Sequence, residues 1–244
     1  MASIYTETVE LRACRCDMYS RWKPGAILET MQESAGMHSN IFGLTYEKMT
    51  GMGFGWVIAR LKAEFSRIPV SGEKITVETY PTPNRMLFYP RSHIFKDGYG
   101  QVIGSANTLW LVMDLATRKA VNSAEVLAHM PDNSGLKPAA GMPAAVKPFE
   151  GEVRRMDITP QFTDLDTNGH VNNTKYMDWC CNALGAEILG GNTIMSFDIN
   201  YDAEILPGTE LHTELTLEGD RFAFIGYSDE KKHFSIGGRL EKRG

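Results

Sequence analysis

The chain has few cysteines and no long apolar run. Its 244 residues include only Cys14, Cys16, Cys180 and Cys181, which form none of the C-x-x-C pairs usual in zinc and redox sites. No apolar stretch reaches the ~20 residues of a membrane-spanning helix, and the opening residues lack the apolar core of a signal peptide. These absences predict a cytoplasmic protein with reduced thiols, no membrane span, no metal and no cofactor.

The chain also lacks an excess of basic residues. It has 25 lysines and arginines against 30 aspartates and glutamates, a formal net charge of −5. Because nucleic-acid binding relies on a basic surface, this balance argues against a nucleic-acid partner. The hydrophobic content of 43% and the charged content of 23% are typical of a folded globular protein. The length suffices for one large domain or for two of about a hundred residues each.

Two long helices are predicted among many strands. Pro24 suits a first helical position, and Ile27, Met31, Ala35 and His38 share one face, so residues 24–38 should form a helix. A second helix is predicted over 174–189, because two glycines follow it. Runs rich in β-branched and aromatic residues predict strands at 6–15, 56–65, 74–80, 86–96, 102–114, 152–158, 193–201, 210–217, 222–228 and 233–240.

The second half of the chain repeats the pattern of the first. Phe65 and Tyr201 each precede a glycine by seven residues, ahead of a strand. Residues 131–150 are rich in proline, alanine and glycine, as expected of a linker. We therefore expect an α+β fold with two domains, residues 1–130 and 151–244. Each should be a long central helix wrapped by an antiparallel sheet, and the two sheets can pair at their edges.

The densest polar cluster lies between a strand and the second helix, in the sequence DLDTNGHVNN of residues 164–173. Asn172 and Asn173 are expected to cap the helix. Asp166, Asn168 and His170 alternate along the chain and can point the same way, which a cap does not require. A helix N-terminus supplies donors for an oxyanion, and a neutral imidazole can take a proton from water. This arrangement indicates acyl transfer to water.

The residues of this cluster match the motif D-L-D-x-N-x-H-V-N-N-x-K-Y, and the match extends to the segments LETMQESA, WVIAR and WLVMD at 28–35, 56–60 and 110–114. The chain therefore resembles the plant and bacterial acyl-acyl carrier protein thioesterases over nearly its whole length. The resemblance implies a tandem (double) hotdog fold, with the acyl pocket mainly in the first half and catalysis in the second. It also implies that Glu204, in the context Tyr201-x-x-Glu, is catalytic with Asp166, Asn168 and His170.

The chain departs from the family pattern at one position of interest. Some members have a cysteine after the catalytic glutamate, where this chain has Ile205, so a cysteine nucleophile is excluded there. The expected mechanism is direct hydrolysis, in which His170 and Glu204 activate and position a water, Asp166 orients the histidine or a neighbouring donor, and Asn168 with helix amides holds the carbonyl. Either His170 or Glu204 could be the base. An alternative makes Asp166 a nucleophile that forms a mixed anhydride.

The resemblance implies that the protein releases free fatty acid from acyl carrier protein and so ends fatty acid synthesis. The alternatives are an acyl-coenzyme A thioesterase of the same fold and a non-catalytic acyl-binding hotdog protein. Either a monomer or a homodimer is expected, because an exposed sheet edge could pair again. The candidates for closing the acyl pocket are Met31, Met37 and Trp56. The candidates for docking an acidic carrier are Arg154, Arg155, Lys175, Lys231 and Lys232.

Overall fold

Two long helices lie against one continuous antiparallel sheet in the computed structural model, which describes residues 3–243. In chain order the elements are β1 (Tyr5–Glu10), α1 (Pro24–Ile41), α2 (Tyr46–Gly51), β2 (Phe54–Phe65), β3 (Lys74–Pro81), β4 (Phe88–Lys96), β5 (Val102–Asp114), β6 (Lys119–Val121), α3 (Ala124–His129), β7 (Glu152–Ile158), α4 (Lys175–Gly191), β8 (Asn192–Tyr201), β9 (Leu211–Glu218), β10 (Arg221–Ser228) and β11 (Lys231–Lys242). No helix within the described residues is long and apolar enough to cross a membrane.

The sheet joins the two halves of the chain. Its strand order is β1-β3-β4-β5-β2-β8-β11-β10-β9-β7, with β6 paired to β5. Strands β2 and β8 meet in the middle, from the pair Arg60–Asn200 to the pair Glu64–Ser196. Each half is therefore a helix wrapped by an antiparallel sheet, and the halves pair edge to edge. The predicted α+β tandem hotdog fold is confirmed.

The helices are held by the apolar stripes that the sequence predicts. The face of α1 that carries Ile27, Met31 and His38 is buried, and Tyr176, Trp179 and Cys180 are buried on α4. All of these side chains except His38 join a hydrophobic core shared by both halves. Helix α4 contains one break, at Gly185, whose φ of 71° is left-handed. Removing this apolar surface from water is the main force that docks the helices on the sheet.

Several boundaries differ from the prediction. The strand expected over 6–15 ends at Glu10, because Ala13–Arg15 turns as a short 3-10 helix. The strand expected over 86–96 begins at Phe88, because Met86 has a φ of 56° in a turn. Helices α2 and α3 were not predicted, since six residues are too few to show a helical period. Thr45 and Ser123 cap their N-termini, and Met49 and Val126 anchor them in a smaller core.

Residues 131–150 contain no helix or strand and run along both halves. The hydroxyl of Tyr80 donates to the Lys137 carbonyl at 3.0 Å, and the amide of Val146 donates to Oδ1 of Asn200 at 2.8 Å. This segment is therefore tied down by hydrogen bonds to strands of the first and the second half. The division of the chain into domains at 131–150 stays a prediction.

A pair of equivalent turns shows the internal repeat at the level of single hydrogen bonds. In the first half, Oδ1 of Asp17 accepts from the amides of Tyr19 and Arg21, both at 2.9 Å. In the second half, Oδ1 of Asp166 accepts from the amides two and four residues later, at 2.8 and 3.2 Å. Arg21 thus occupies in the first turn the position that His170 has in the second.

Arg21 fastens the first turn to the end of α4. Its guanidinium donates to the carbonyls of Leu189 and Asn192 at 2.9 and 2.7 Å, and it is only 9% exposed. We expect Arg21→Met to lower the free energy of unfolding by about 3 kcal/mol, because two partly buried carbonyls lose a charged donor. Urea unfolding measures this. Arg239→Met, which breaks an exposed pair with Asp220, is the control and should change stability by less than ~1 kcal/mol. Equal effects of the two changes would contradict this role for Arg21.

Candidate active site

The turn that carries the predicted motif is built around Asp166. Besides the amides of Asn168 and His170 on Oδ1, its Oδ2 receives the side-chain amide of Asn168 at 3.4 Å. Gly169 has a φ of 73°, which favours glycine, and its amide donates to the Asp166 carbonyl. Asp166 therefore shapes the turn and orients the Asn168 amide, while the His170 backbone is fixed by the same carboxylate.

Glu204 reaches the turn from the segment after β8. The amide of Val171 donates to the carbonyl of Ile205 at 2.9 Å, which brings the two segments side by side. The carbonyl of Glu204 is also bonded to Nδ1 of His233, on β11, at 2.9 Å. As a result Nε2 of His170 lies 3.6 Å from Oε2 of Glu204, and both side chains are about one-third exposed. Residues far apart in sequence thus form one acid–base pair.

Arg118 holds the Glu204 carboxylate from the other half of the chain. Its Nη2 donates to Oε1 and Oε2 of Glu204, both at 2.6 Å, from the turn between β5 and β6. The hydrogen bond from Arg118, together with the nearby His170, lowers the pKa of Glu204. The carboxylate therefore stays ionised as the pH falls into the mildly acidic range, and in that form it can stabilise a protonated imidazole.

A cavity of about 930 Å³ opens beside this pair. Asp166, Asn168, His170 and Glu204 all line it, so the four predicted site residues converge on one space. The rest of its wall comes mainly from the first half and is rich in aromatic and aliphatic side chains, such as Phe42, Leu44, Met49, Phe54, Trp56, Tyr89, Trp110 and Met130. The space suits an apolar chain with its reactive end at the polar turn.

The start of α4 differs from what the sequence predicts. The amide and hydroxyl of Thr174 donate to Oδ1 of Asn172, at 3.0 and 2.9 Å. Asn172 therefore binds the residue that precedes α4, and within residues 3–243 no side chain caps the helix itself. The predicted cap by Asn173 is wrong. Its side-chain amide donates to Oε1 of Gln32 on α1 at 3.0 Å, because α1 and α4 pack together there. The Thr174 amide is thus engaged, whereas the Asn168 side-chain amide lines the cavity beside His170.

Sequence reasoning missed two arginines that line the cavity, Arg91 and Arg118. Neither belongs to a motif, and both come from the half that lacks the catalytic turn. Of the three candidates for closing the pocket, Met37 and Trp56 line the cavity, whereas Met31 lines a separate small void. No group of three or more His, Cys, Asp or Glu side chains within residues 3–243 is arranged to hold a metal ion.

The five candidate docking cations fall into two groups. Arg154, Arg155, Lys175 and Lys232 form ion pairs with acidic residues of the chain, at Glu152, Glu214, Glu29 and Asp202. Lys231 forms no ion pair among the described residues, and it lies on the rim of the cavity. Lys231 is therefore the candidate whose charge is most available to an anionic carrier at the cavity entrance.

The fold and the site together define a hotdog protein with an acid–base pair at one end of an apolar cavity. Comparison with known families extends this description. The model of the acyl-ACP thioesterase N-terminal domain matches residues 2–129, and that of the acyl-ACP thioesterase C-terminal domain matches residues 149–235. The chain belongs to the acyl-ACP thioesterase family, which confirms the predicted resemblance.

Curated relatives agree with this family. The chain is 25% identical over 203 residues to the chloroplastic palmitoyl-acyl carrier protein thioesterase of Cuphea hookeriana, covering 73% of this chain and 46% of that protein. It is 26% identical over 217 residues to the chloroplastic dodecanoyl-[acyl-carrier-protein] hydrolase of Umbellularia californica, covering 80% and 54%. The chain thus spans about half the length of the curated relatives it matches.

Solved structures share the fold. An acyl-ACP thioesterase from Bacteroides thetaiotaomicron superposes with a TM-score of 0.88 at 23% identity, covering 98% of each chain. The 12:0-ACP thioesterase of Umbellularia californica superposes with a TM-score of 0.86 at 19% identity, covering 100% of this chain and 99% of that one. At these identities the likeness establishes the tandem hotdog architecture of the whole chain.

Proposed function

We propose that the protein hydrolyses the thioester of a fatty acyl chain carried on acyl carrier protein and releases the free fatty acid. The observation that carries this proposal is the meeting of His170, Glu204 and Asn168 at one end of the apolar cavity. Membership of the acyl-ACP thioesterase family supports the same reaction. The first half would supply most of the acyl pocket, and the second half would supply the catalytic turn.

The proposed mechanism assigns the base to His170. The imidazole takes a proton from water, and the water oxygen attacks the thioester carbonyl carbon. Glu204 is the weaker base, because Arg118 lowers its pKa, and its carboxylate stabilises the imidazolium. The Asn168 amide, oriented by Asp166, donates to the oxyanion. When the carbon–sulfur bond breaks, the imidazolium returns its proton to the leaving thiolate, which yields the acid and the carrier thiol.

Covalent routes fit the site less well. Ile205 is fully buried and has no nucleophilic atom. Burial raises the pKa of the Cys180 thiol and raises that of Cys181 to about 12, so both stay protonated and unreactive. Both oxygens of Asp166 already accept hydrogen bonds from the turn, which disfavours a mixed anhydride. Direct attack by water is the remaining route.

The test is hydrolysis of a chain-length series presented on acyl carrier protein and on coenzyme A. We expect kcat/KM to be higher on the carrier protein, because Lys231, which forms no ion pair within residues 3–243 and lines the cavity, can attract its acidic surface. Equal or faster turnover of the coenzyme A esters would contradict the carrier assignment. Tight binding of acyl chains without hydrolysis of either ester would contradict catalysis. A cytoplasmic location and a monomeric or homodimeric state stay predictions.

A further inference from the structure

Arg91 places a cation deep inside the protein, on the side of β4 that faces α1. It is 7% exposed and lines the same cavity as His170. Its Nη1 donates to Nδ1 of His38 at 3.1 Å and to Oγ1 of Thr79 at 3.3 Å. Both acceptors are neutral oxygen or nitrogen atoms of buried side chains. The guanidinium is therefore fixed in place without a countercharge from either of them.

The charge of Arg91 is not neutralised by its surroundings. Within residues 3–243, no carboxylate forms an ion pair with it, and its Nε and Nη2 donate to no protein atom. Burial lowers the pKa of Arg91 to about 9, so it is still a cation at neutral pH. Burial and Arg91 together lower the pKa of His93 to about 3, which leaves that neighbour neutral. A buried cation without a partner of opposite charge is costly unless a ligand supplies one.

Arg91 lies away from the catalytic turn along the cavity. Gln32 on α1 bonds to Asn173, close to the turn, whereas Arg91 bonds to His38, six residues further along the same helix. At 1.5 Å per residue, the two contacts are about 9 Å apart along the helix axis. An acyl chain whose thioester lies at His170 would therefore approach Arg91 with its distal part.

We propose that this end of the cavity is a polar subsite, in which Arg91 binds an oxygen acceptor on the distal part of the acyl chain. The subsite rests on the proposed function, because it deepens the description of the same substrate. The acceptor can be a carboxylate, an oxo group or a hydroxyl, and a carboxylate should bind best because it matches the guanidinium fork. A plain alkyl end would exclude water and leave the free donors unpaired, which disfavours it.

The test measures the binding of free acids, so it does not depend on turnover. Calorimetry would compare, at each chain length, the monocarboxylic acid with the acids that end in a hydroxyl, an oxo group or a second carboxyl. We expect the best oxygenated ligand to bind at least about tenfold more tightly than its methyl-ended match. Equal or tighter binding of the methyl-ended acid at every length would overturn the subsite.

Two variants assign the preference to Arg91. Arg91→Met keeps the volume and removes the charge, so it should reverse the preference without lowering Tm. Arg91→Lys keeps the positive charge but lacks the paired donors of the guanidinium, so it should retain a smaller preference for the oxygenated acids. A folded Arg91→Met protein that keeps the wild-type preference would overturn the role of Arg91, and if this variant fails to fold, the wild-type comparison and Arg91→Lys still decide.

The outcomes separate this inference from the proposed function. Hydrolysis of methyl-ended acyl carriers together with no preference for oxygenated acids would refute the subsite alone. A clear preference for oxygenated acids together with no hydrolysis of any ester would refute the proposed reaction and leave the subsite standing.

Discussion

Replacement of His170 by alanine should lower kcat/KM on an acyl carrier protein substrate by about 10²–10⁴-fold, the usual loss when a positioned general base is removed. The imidazole is the group beside Glu204 that can take the proton of the attacking water. Its side chain is one-third exposed, so truncation should leave the fold intact. Single-turnover hydrolysis of one acyl chain, with circular dichroism as a check on folding, measures the effect.

His212 provides a matched control for His170. It also pairs with a carboxylate, Asp157, at 2.8 Å, but on the exposed surface and outside the cavity lining. His212→Ala should therefore keep the wild-type rate. A double variant, His170→Ala with Glu204→Gln, should be little worse than the worse single variant, because Glu204 acts through the imidazole that the first change removes. Wild-type turnover by His170→Ala would show that another group is the base.

Replacement of Asn168 by alanine should lower kcat by about 10²–10³-fold, with little change in KM. The side-chain amide is held by Asp166 and is the donor of the turn that faces the cavity. It would bind the oxyanion more strongly than the ground-state carbonyl, so its loss should affect the chemical step. Steady-state kinetics on the same carrier substrate separate kcat from KM.

Asn168→Asp is the sharper version of the same experiment. Aspartate keeps the size of the side chain but replaces the donor with a negative charge, so its rate should be no higher than that of Asn168→Ala. Asn182→Ala, at an exposed position of α4, should leave kcat and KM unchanged. An active Asn168→Asp protein would contradict the oxyanion role and leave Asn168 with a purely structural one.

The sequence predicted the parts of the site that lie in one continuous stretch. Asp166, Asn168 and His170 alternate within five residues, and their convergence follows from the geometry of a single turn. Glu204 required the family resemblance, because its position depends on the backbone bond between Val171 and Ile205. No local sequence pattern predicts such a long-range contact.

Contacts between the two halves could not be predicted from sequence patterns. Arg118 lies in a turn with no periodicity, and it meets Glu204 only because β2 and β8 join the halves. The prediction for Asn173 failed for the same reason. Any asparagine that precedes a helix suggests a cap, which is a local structure. The actual partner of Asn173 is Gln32, which lies on the other long helix. The long elements were predictable because burial imposes a period on many residues at once.

Under the proposed function, the two equivalent turns bear on how many carriers one chain can bind. A twofold repeat would by itself offer two entrances, each beside one turn. In the first half, however, Arg21 occupies the position that His170 has in the second half. Its guanidinium binds the carbonyls of Leu189 and Asn192 at the end of α4, and it does not line the cavity. One chain should therefore bind one acyl carrier at a time. Its saturation curve should be that of a single independent site, despite the doubled architecture.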